Sequence, residues 1–336
     1  MARMRSRLRR RTVLTGLGAA LGPLRPVFAQ DSSARRSLAV IIGLANDAEM
    51  QRRIGALEQA LESLGWIKGR NVGIIYRFAD NDADRLRGFV REIVAANPDC
   101  ILAHSTGACA ELRELTRTIP IVFVSVADPV GSGFANSMAR PGGNMTGFTL
   151  QAPSITSKYL SILKELVPRL VQVAALYNAG SAPGGGSSFL PSFDDAAVGF
   201  NVKAVNAQVN TGDDIEQAMK QIAAEPASGV IVMPDNFTTY YREIIIALAD
   251  RFRIPTIYPF RYFVEEGGLL SLGVDGADLF RRAADYVDRV LRGANPADLP
   301  VQAPTKLELA INLKTAKAQG KEISRVLLAG ADTVIE

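Results

Sequence analysis

From residue 37 onward the chain alternates short, nearly continuous apolar runs with amphipathic stretches, and it does so twice over. The first series has apolar runs at Leu38–Leu44, Val72–Phe78, Cys100–His104 and Ile121–Val126, with helical patterns at about 48–64, 82–96 and 107–117. Strand-sized runs of Val, Ile, Leu and Phe with no alternating polar face suit a sheet buried on both sides. Regular alternation with helices makes that sheet parallel. Pro98 and Pro120 stand just before strands, where a missing N–H does no harm.

The second series repeats the grammar. Strands read at Val171–Tyr177, Val202–Ala207, Gly229–Met233 and Thr256–Tyr258, and helices at about 154–166, 190–199, 212–224 and 236–252. The fold class is therefore α/β, as two doubly wound, Rossmann-like parallel-sheet lobes. The join falls near Pro141-Gly142-Gly143-Asn144, which is turn chemistry. Residues 180–188 read as a glycine-rich loop of the second lobe. The tail adds a strand at Leu269–Val274, a helix at about 277–292, a proline-rich stretch Asn295–Pro304, a strand at Leu307–Asn312 and a short helix. These leftovers complete both sheets only by crossing back, and several crossings make a hinge. The expected division is 37–149 plus 273–300 for one lobe and 150–272 plus 301–336 for the other.

Charge excludes one class of partner. Residues 1–30 hold seven arginines and no acid, and setting those seven aside from the 38 basic residues leaves 31 against 34 acidic ones. The basic excess belongs to the leader, and the rest of the chain has no clustered basic stripe for nucleic acid. The leader itself reads as an export signal over 1–29. Arg10-Arg11-Thr12-Val13-Leu14 resembles a twin-arginine motif, a short apolar stretch follows, and Val27-Phe28-Ala29 suits cleavage. That stretch is too short to span a bilayer, for which about 20 residues are needed. It holds no cysteine for a lipid anchor. Cys100 and Cys109 read as two buried thiols. His104, the only histidine, reads as a packed core residue, and no zinc set can be assembled from these three.

In open parallel sheets, ligands bind beyond the carboxyl ends of the strands. After the strand ending at His104 come Ser105, Thr106 and Gly107, which open a helix whose free N–H groups attract a carboxylate or phosphate. After the next strand come Ser125 and Asp128, and Asp128 could accept from an ammonium. In the second series the strand ends carry Asn178, Asp235-Asn236 and Tyr258-Pro259-Phe260, and the crossing strand carries Ser271-Leu272-Gly273. Helix capping is the plainer reading of any one of these residues. Their gathering on the same edge of both lobes points to a cleft. No nucleophile elbow, phosphate-binding loop of the Walker type or paired-cysteine motif is present, so the chain reads as a non-catalytic binder without cofactor.

Several stretches together resemble the ABC transporter substrate-binding proteins related to the tryptophan-binding type. They are Ile119-Pro120-Ile121-Val122-Phe123-Val124-Ser125 with Asp128-Pro129-Val130, Arg140-Pro141-Gly142-Gly143-Asn144-Met145-Thr146-Gly147, Ile257-Tyr258-Pro259-Phe260-Arg261, Pro300 to Leu309, and Ile311 to Lys317. The similarity runs over nearly the whole chain. It implies a type I periplasmic-binding fold with a three-segment hinge, a monomer in the periplasm, and an inner-membrane permease and ATPase as partners. The implied ligand is amino-acid-like or an aromatic carboxylate. The implied contacts are Ser105, Thr106, Gly107, Ser125, Asp128, Asn178, Asp235, Ser271 and Gly273. Two positions depart from the pattern: Leu272 stands where an aromatic is frequent, and Ala179 with the glycine loop follows Asn178. A sensor presenting the same clamp to a membrane receptor and an enzyme on this scaffold are the alternative readings.

Overall fold

A computed structural model describes residues 35–150 and 155–336; the leader expected over 1–29 lies outside the described residues. The first lobe runs β1 (Arg36–Ile42), α1 (Ala48–Ser63), β2 (Val72–Phe78), α2 (Ala83–Ala96), β3 (Cys100–His104), α3 (Thr106–Leu115), β4 (Ile121–Val126) and β5 (Met145–Thr149). Its five strands are all parallel, in the order β2-β1-β3-β4-β5. β3 and β5 are buried at every residue; β3 reads as an almost continuous apolar run, whereas β5 buries Thr146 and Thr149 along with its apolar residues. α1 and α2 start on the carboxylates of Asp47 and Asp82, which accept N–H bonds from the first helical turn.

The second lobe continues with α4 (Ile155–Leu166), β6 (Gln172–Tyr177), α5 (Leu190–Gly199), β7 (Lys203–Gln208), α6 (Gly212–Ala224), β8 (Ser228–Val232), α7 (Asn236–Tyr240), α8 (Arg242–Arg251), β9 (Thr256–Tyr258), α9 (Arg261–Glu265) and β10 (Leu270–Gly273). The tail supplies α10 (Gly276–Leu291), β11 (Glu308–Asn312), α11 (Leu313–Ala318), α12 (Arg325–Gly330) and β12 (Thr333–Ile335). The second sheet has seven strands in the order β12-β11-β10-β9-β8-β6-β7.

The chain passes between the sheets three times. It leaves the first sheet after β5. It returns between β10 and α10, for α10 packs on α1 and covers β3, β4 and β5. It leaves again beyond Gln302, whose N–H donates to Gly147 O and whose carbonyl accepts from Thr149 N–H, both at 2.8 Å. α10 belongs on the first lobe because its apolar stripe, with Leu279, Phe280, Ala283, Tyr286 and Val287 buried, completes the layer begun by α1.

Four details differ from the sequence reading. β5 is a full strand immediately after the glycine turn, where only a join was expected. The helix expected over 236–252 is interrupted at Tyr241, giving α7 and α8. β11 runs antiparallel to β10, so the second sheet is not wholly parallel. The short elements α9, α12 and β12 have too few residues to show a period. Cys100 and Cys109 are free and buried, as expected. Among the described residues no helix is long and apolar enough to cross a membrane.

Candidate functional site

The carboxyl ends of β3 and β4 make one wall of a cavity between the lobes, lined there by His104, Ser105, Thr106 and Ser125. Two of these serines hold backbone that side chains usually avoid. Ser105 sits at φ 84°, ψ 157°, a region populated almost only by glycine, and Ser125 at φ 59° forms the bulge between Val124 and Val126. The Ser105 side chain makes no capping bond, so α3 begins without a side-chain cap. Strain of this kind at a cavity wall costs of order 1–3 kcal/mol per residue and persists where the surroundings enforce it.

The second feature of this wall is Arg53, on the buried face of α1 and only 3 % exposed. Its Nε donates to Glu49 Oε1 at 2.8 Å. Its guanidinium lies over two rings of the other lobe, 5.8 Å from the Phe260 centroid and 5.6 Å from that of Tyr262. Burial works against the charge, but Tyr262 and Glu49 beside it outweigh burial and hold the guanidinium's pKa above its ordinary value. Arg53 Nη1 stands 3.4 Å from His104 Nε2. A guanidinium only donates, so Nε2 accepts and the imidazole proton resides on Nδ1. Burial, helped by the Arg53 charge, lowers the His104 pKa to about 3, so the ring is neutral at physiological pH. His104 Nδ1 is buried without a partner among the described residues.

The opposite wall is built on Asp235, which follows β8. Its Oδ1 accepts from Thr238 N–H at 2.7 Å and Ser181 Oγ at 3.1 Å, and its Oδ2 accepts from Asn178 N–H at 2.9 Å. Together with Thr238 it closes a capping box on α7. Burial raises its pKa to about 6 despite the N–H bonds from Asn178 and Thr238 that favour the carboxylate. None of its described partners is a cation, and Oδ2 keeps one acceptor position unspent. The lobes meet above it: Asn236 Nδ2 donates to Ser105 Oγ at 3.4 Å, and Arg242 Nη2 pairs with Asp47 Oδ2 at 3.2 Å. The cavity volume is about 40 Å³, and the cavity is partly open to solvent.

Of the nine expected contacts, the structure brings Ser105, Thr106, Ser125 and Asp235 to this cavity. Asn178 stands behind Asp235, with its own amide spent on Val209 O and Asn210. The remaining four lie off the lining. Gly107 is exposed on the first turn of α3. Asp128 turns its carboxylate back to Gly131 N–H at 2.8 Å, closing its own loop. Ser271 is wholly buried within β10. Gly273 is required by packing, since a Cβ there would stand 1.7 Å from Pro259 O.

Arg53 and Tyr262 line the cavity without having been expected there, and Asn236, read among the polar strand ends but not among the nine contacts, lines it too. Arg53 occupies a core position of an amphipathic helix, and an arginine on the apolar face of the predicted helix 48–64 was the available signal. His104 was expected as a core histidine; it is buried, and it also lines the cavity. Among the described residues no group of three or more His, Cys, Asp or Glu could hold a metal ion.

Comparison with known proteins gives the same architecture. The chain is 29 % identical over 267 residues to the tyrosine-binding protein of Clostridioides difficile strain R20291, covering 77 % of this chain and 74 % of that one. A conserved domain protein from Vibrio cholerae superposes with a TM-score of 0.83 at 27 % identity, covering 89 % of this chain and 99 % of that one. The ABC domain from Streptococcus pneumonia in complex with L-Trp also reaches 0.83, at 22 % identity, covering 90 % and 100 %. The model of ABC transporter substrate-binding proteins matches residues 37–335, and with the two lobes, three crossings and interlobe cavity this chain belongs to that family.

Proposed function

We propose that this solute-binding protein works in the periplasm, delivering its ligand to a permease and ATPase of the inner membrane, and that the ligand is an amino-acid-like zwitterion. The observation that carries the reading is a charge pair split between the lobes. Arg53 brings a buried cation from the first lobe, and Asp235 brings a buried carboxylate without a cationic partner from the second. A ligand carboxylate fits against Arg53 and the uncapped start of α3, where the helix N–H groups favour negative charge. A ligand ammonium fits Asp235, offsetting the cost of burying that charge. Each end of the ligand engages a different lobe, so capture and closure are one event.

Calorimetric titration of the full chain with zwitterionic amino acids, and with the matching amines and carboxylic acids, tests this. Binding should require both charged ends, and Arg53→Gln should weaken it at least 100-fold, the scale expected when one partner of a buried charged contact is removed. Equal binding of an amine, or an affinity indifferent to Arg53→Gln, would exclude the charge-pair reading.

A further inference from the structure

The two aromatic rings on the cavity wall are already occupied by the protein itself. Phe260 and Tyr262 stack on one another with centroids 5.4 Å apart and planes 12° apart. Arg53 lies over both rings, and Arg242 approaches the Tyr262 ring to 5.7 Å. Phe263 packs on Tyr262 at 5.0 Å and on Phe260 at 6.3 Å. The rings are only 8 % and 7 % exposed. They hold the guanidinium in place, and little ring face is left for a ligand to stack upon.

The rest of the wall is polar. Five hydroxyl residues, Ser105, Thr106, Ser125, Ser181 and Thr239, line the cavity, and the remaining apolar surface comes from short or branched side chains such as Leu44, Ala127 and Leu150. Sites for large apolar ligands are lined mostly by apolar and aromatic groups. The volume of about 40 Å³ holds roughly three waters at about 10–15 Å³ each. Interlobe contacts at Asn236–Ser105 and Asp47–Arg242 limit its growth, and Gly43 lies so near Asn236 that a Cβ would stand 2.6 Å from its Nδ2.

We infer that the site takes a compact zwitterion, an amino acid with a short or hydroxylated side chain, and discriminates against aromatic amino acids. This rests on the charge-pair reading above and adds the size and polarity of the side chain. The relatives described as binding tyrosine or L-Trp would then differ from this chain in how they use the cleft.

The test is a calorimetric series on the full chain with glycine, L-alanine, L-serine, L-tyrosine and L-tryptophan. Alanine or serine should bind at least tenfold more tightly than either aromatic amino acid. Tyrosine or tryptophan binding as tightly as alanine would overturn the size inference and leave the charge-pair reading standing. Binding by none of the five would remove both. Leu150→Ala provides the second arm, because it widens the cavity without touching either charged group. It should reduce the preference for alanine over tyrosine at least threefold. An unchanged ratio would show that cavity size does not set the preference.

Discussion

The starts of α3 and α7 follow strands at the same edge of their sheets, and they are finished in opposite ways. α7 is closed by Asp235, whose carboxylate satisfies Thr238 N–H and is itself fastened by Asn178 and Ser181. α3 is left open, with Ser105 held in a glycine-like conformation and its hydroxyl turned away from the cap. One junction therefore offers acceptors to the cleft and the other offers donors. The same strand–helix unit yields either polarity, depending on whether a carboxylate or a strained serine occupies the residue before the helix.

Exchanging the finish of one junction for the other should have the largest effect. Ser105→Asp would place a carboxylate where the ligand carboxylate is proposed to sit. Affinity for the zwitterion should fall more than 100-fold by calorimetry, and retained binding would move the ligand away from α3. The next effect concerns the proton on Asp235. Its pKa is raised in the folded protein from 3.8 to about 6, so the folded form holds the proton more tightly than the unfolded chain. The associated stability is fully present below pH 3.8 and is lost as pH rises through 6, a loss of about 3 kcal/mol at about 1.4 kcal/mol per unit. An ammonium ligand would reverse this loss. Ligand binding at pH 6 should therefore release protons, read from calorimetry in buffers of different ionisation enthalpy, and affinity should weaken below pH 6. Absence of proton release would separate Asp235 from the ammonium.

A smaller effect should follow from Ser105→Gly. Relief of the φ 84° conformation should raise the unfolding free energy by about 1 kcal/mol after the flexibility of glycine in the unfolded chain is counted. A loss of stability in denaturant titration would show that the serine is not strained. The smallest should be Arg242→Gln. It removes partly exposed pairs with Asp47 across the lobes and with Glu266 within its own lobe, and each such pair contributes about 0–1 kcal/mol. Affinity should change less than fivefold, mainly in the dissociation rate by stopped-flow.

The lobes were legible in the sequence because a sheet buried on both faces leaves uninterrupted apolar runs, as β3 and β4 do. β5 was hidden because Met145-Thr146-Gly147-Phe148-Thr149 mixes small and polar residues, and Thr146 is buried by donating its hydroxyl to Leu299 O in a segment about 150 residues away. The interruption at Tyr241 leaves the helical period unbroken, so periodicity cannot report it. In the site, Ser105 and Asp235 were readable from their places after strands. Asp128 follows a strand equally well, and only the structure shows that it lies off the cavity lining with its carboxylate engaged by Gly131 N–H in its own loop. Arg53 comes from mid-helix and is brought to the cleft by rings more than 200 residues away, a pairing that local pattern does not encode.

The return of α10 to the first lobe has a consequence for how the chain acquires its structure. When the ribosome has released residues 35–150, the sheet carrying Arg53 and His104 is complete in strands but lacks the helix that covers β3, β4 and β5. That helix ends at Leu291, after the entire second sheet except β11 and β12 has been made. Domains commonly fold in order of synthesis, but here the earlier lobe gains its covering helix only after most of the later lobe has been made. Its exposed apolar face during that interval is the part of the nascent chain most in need of shielding.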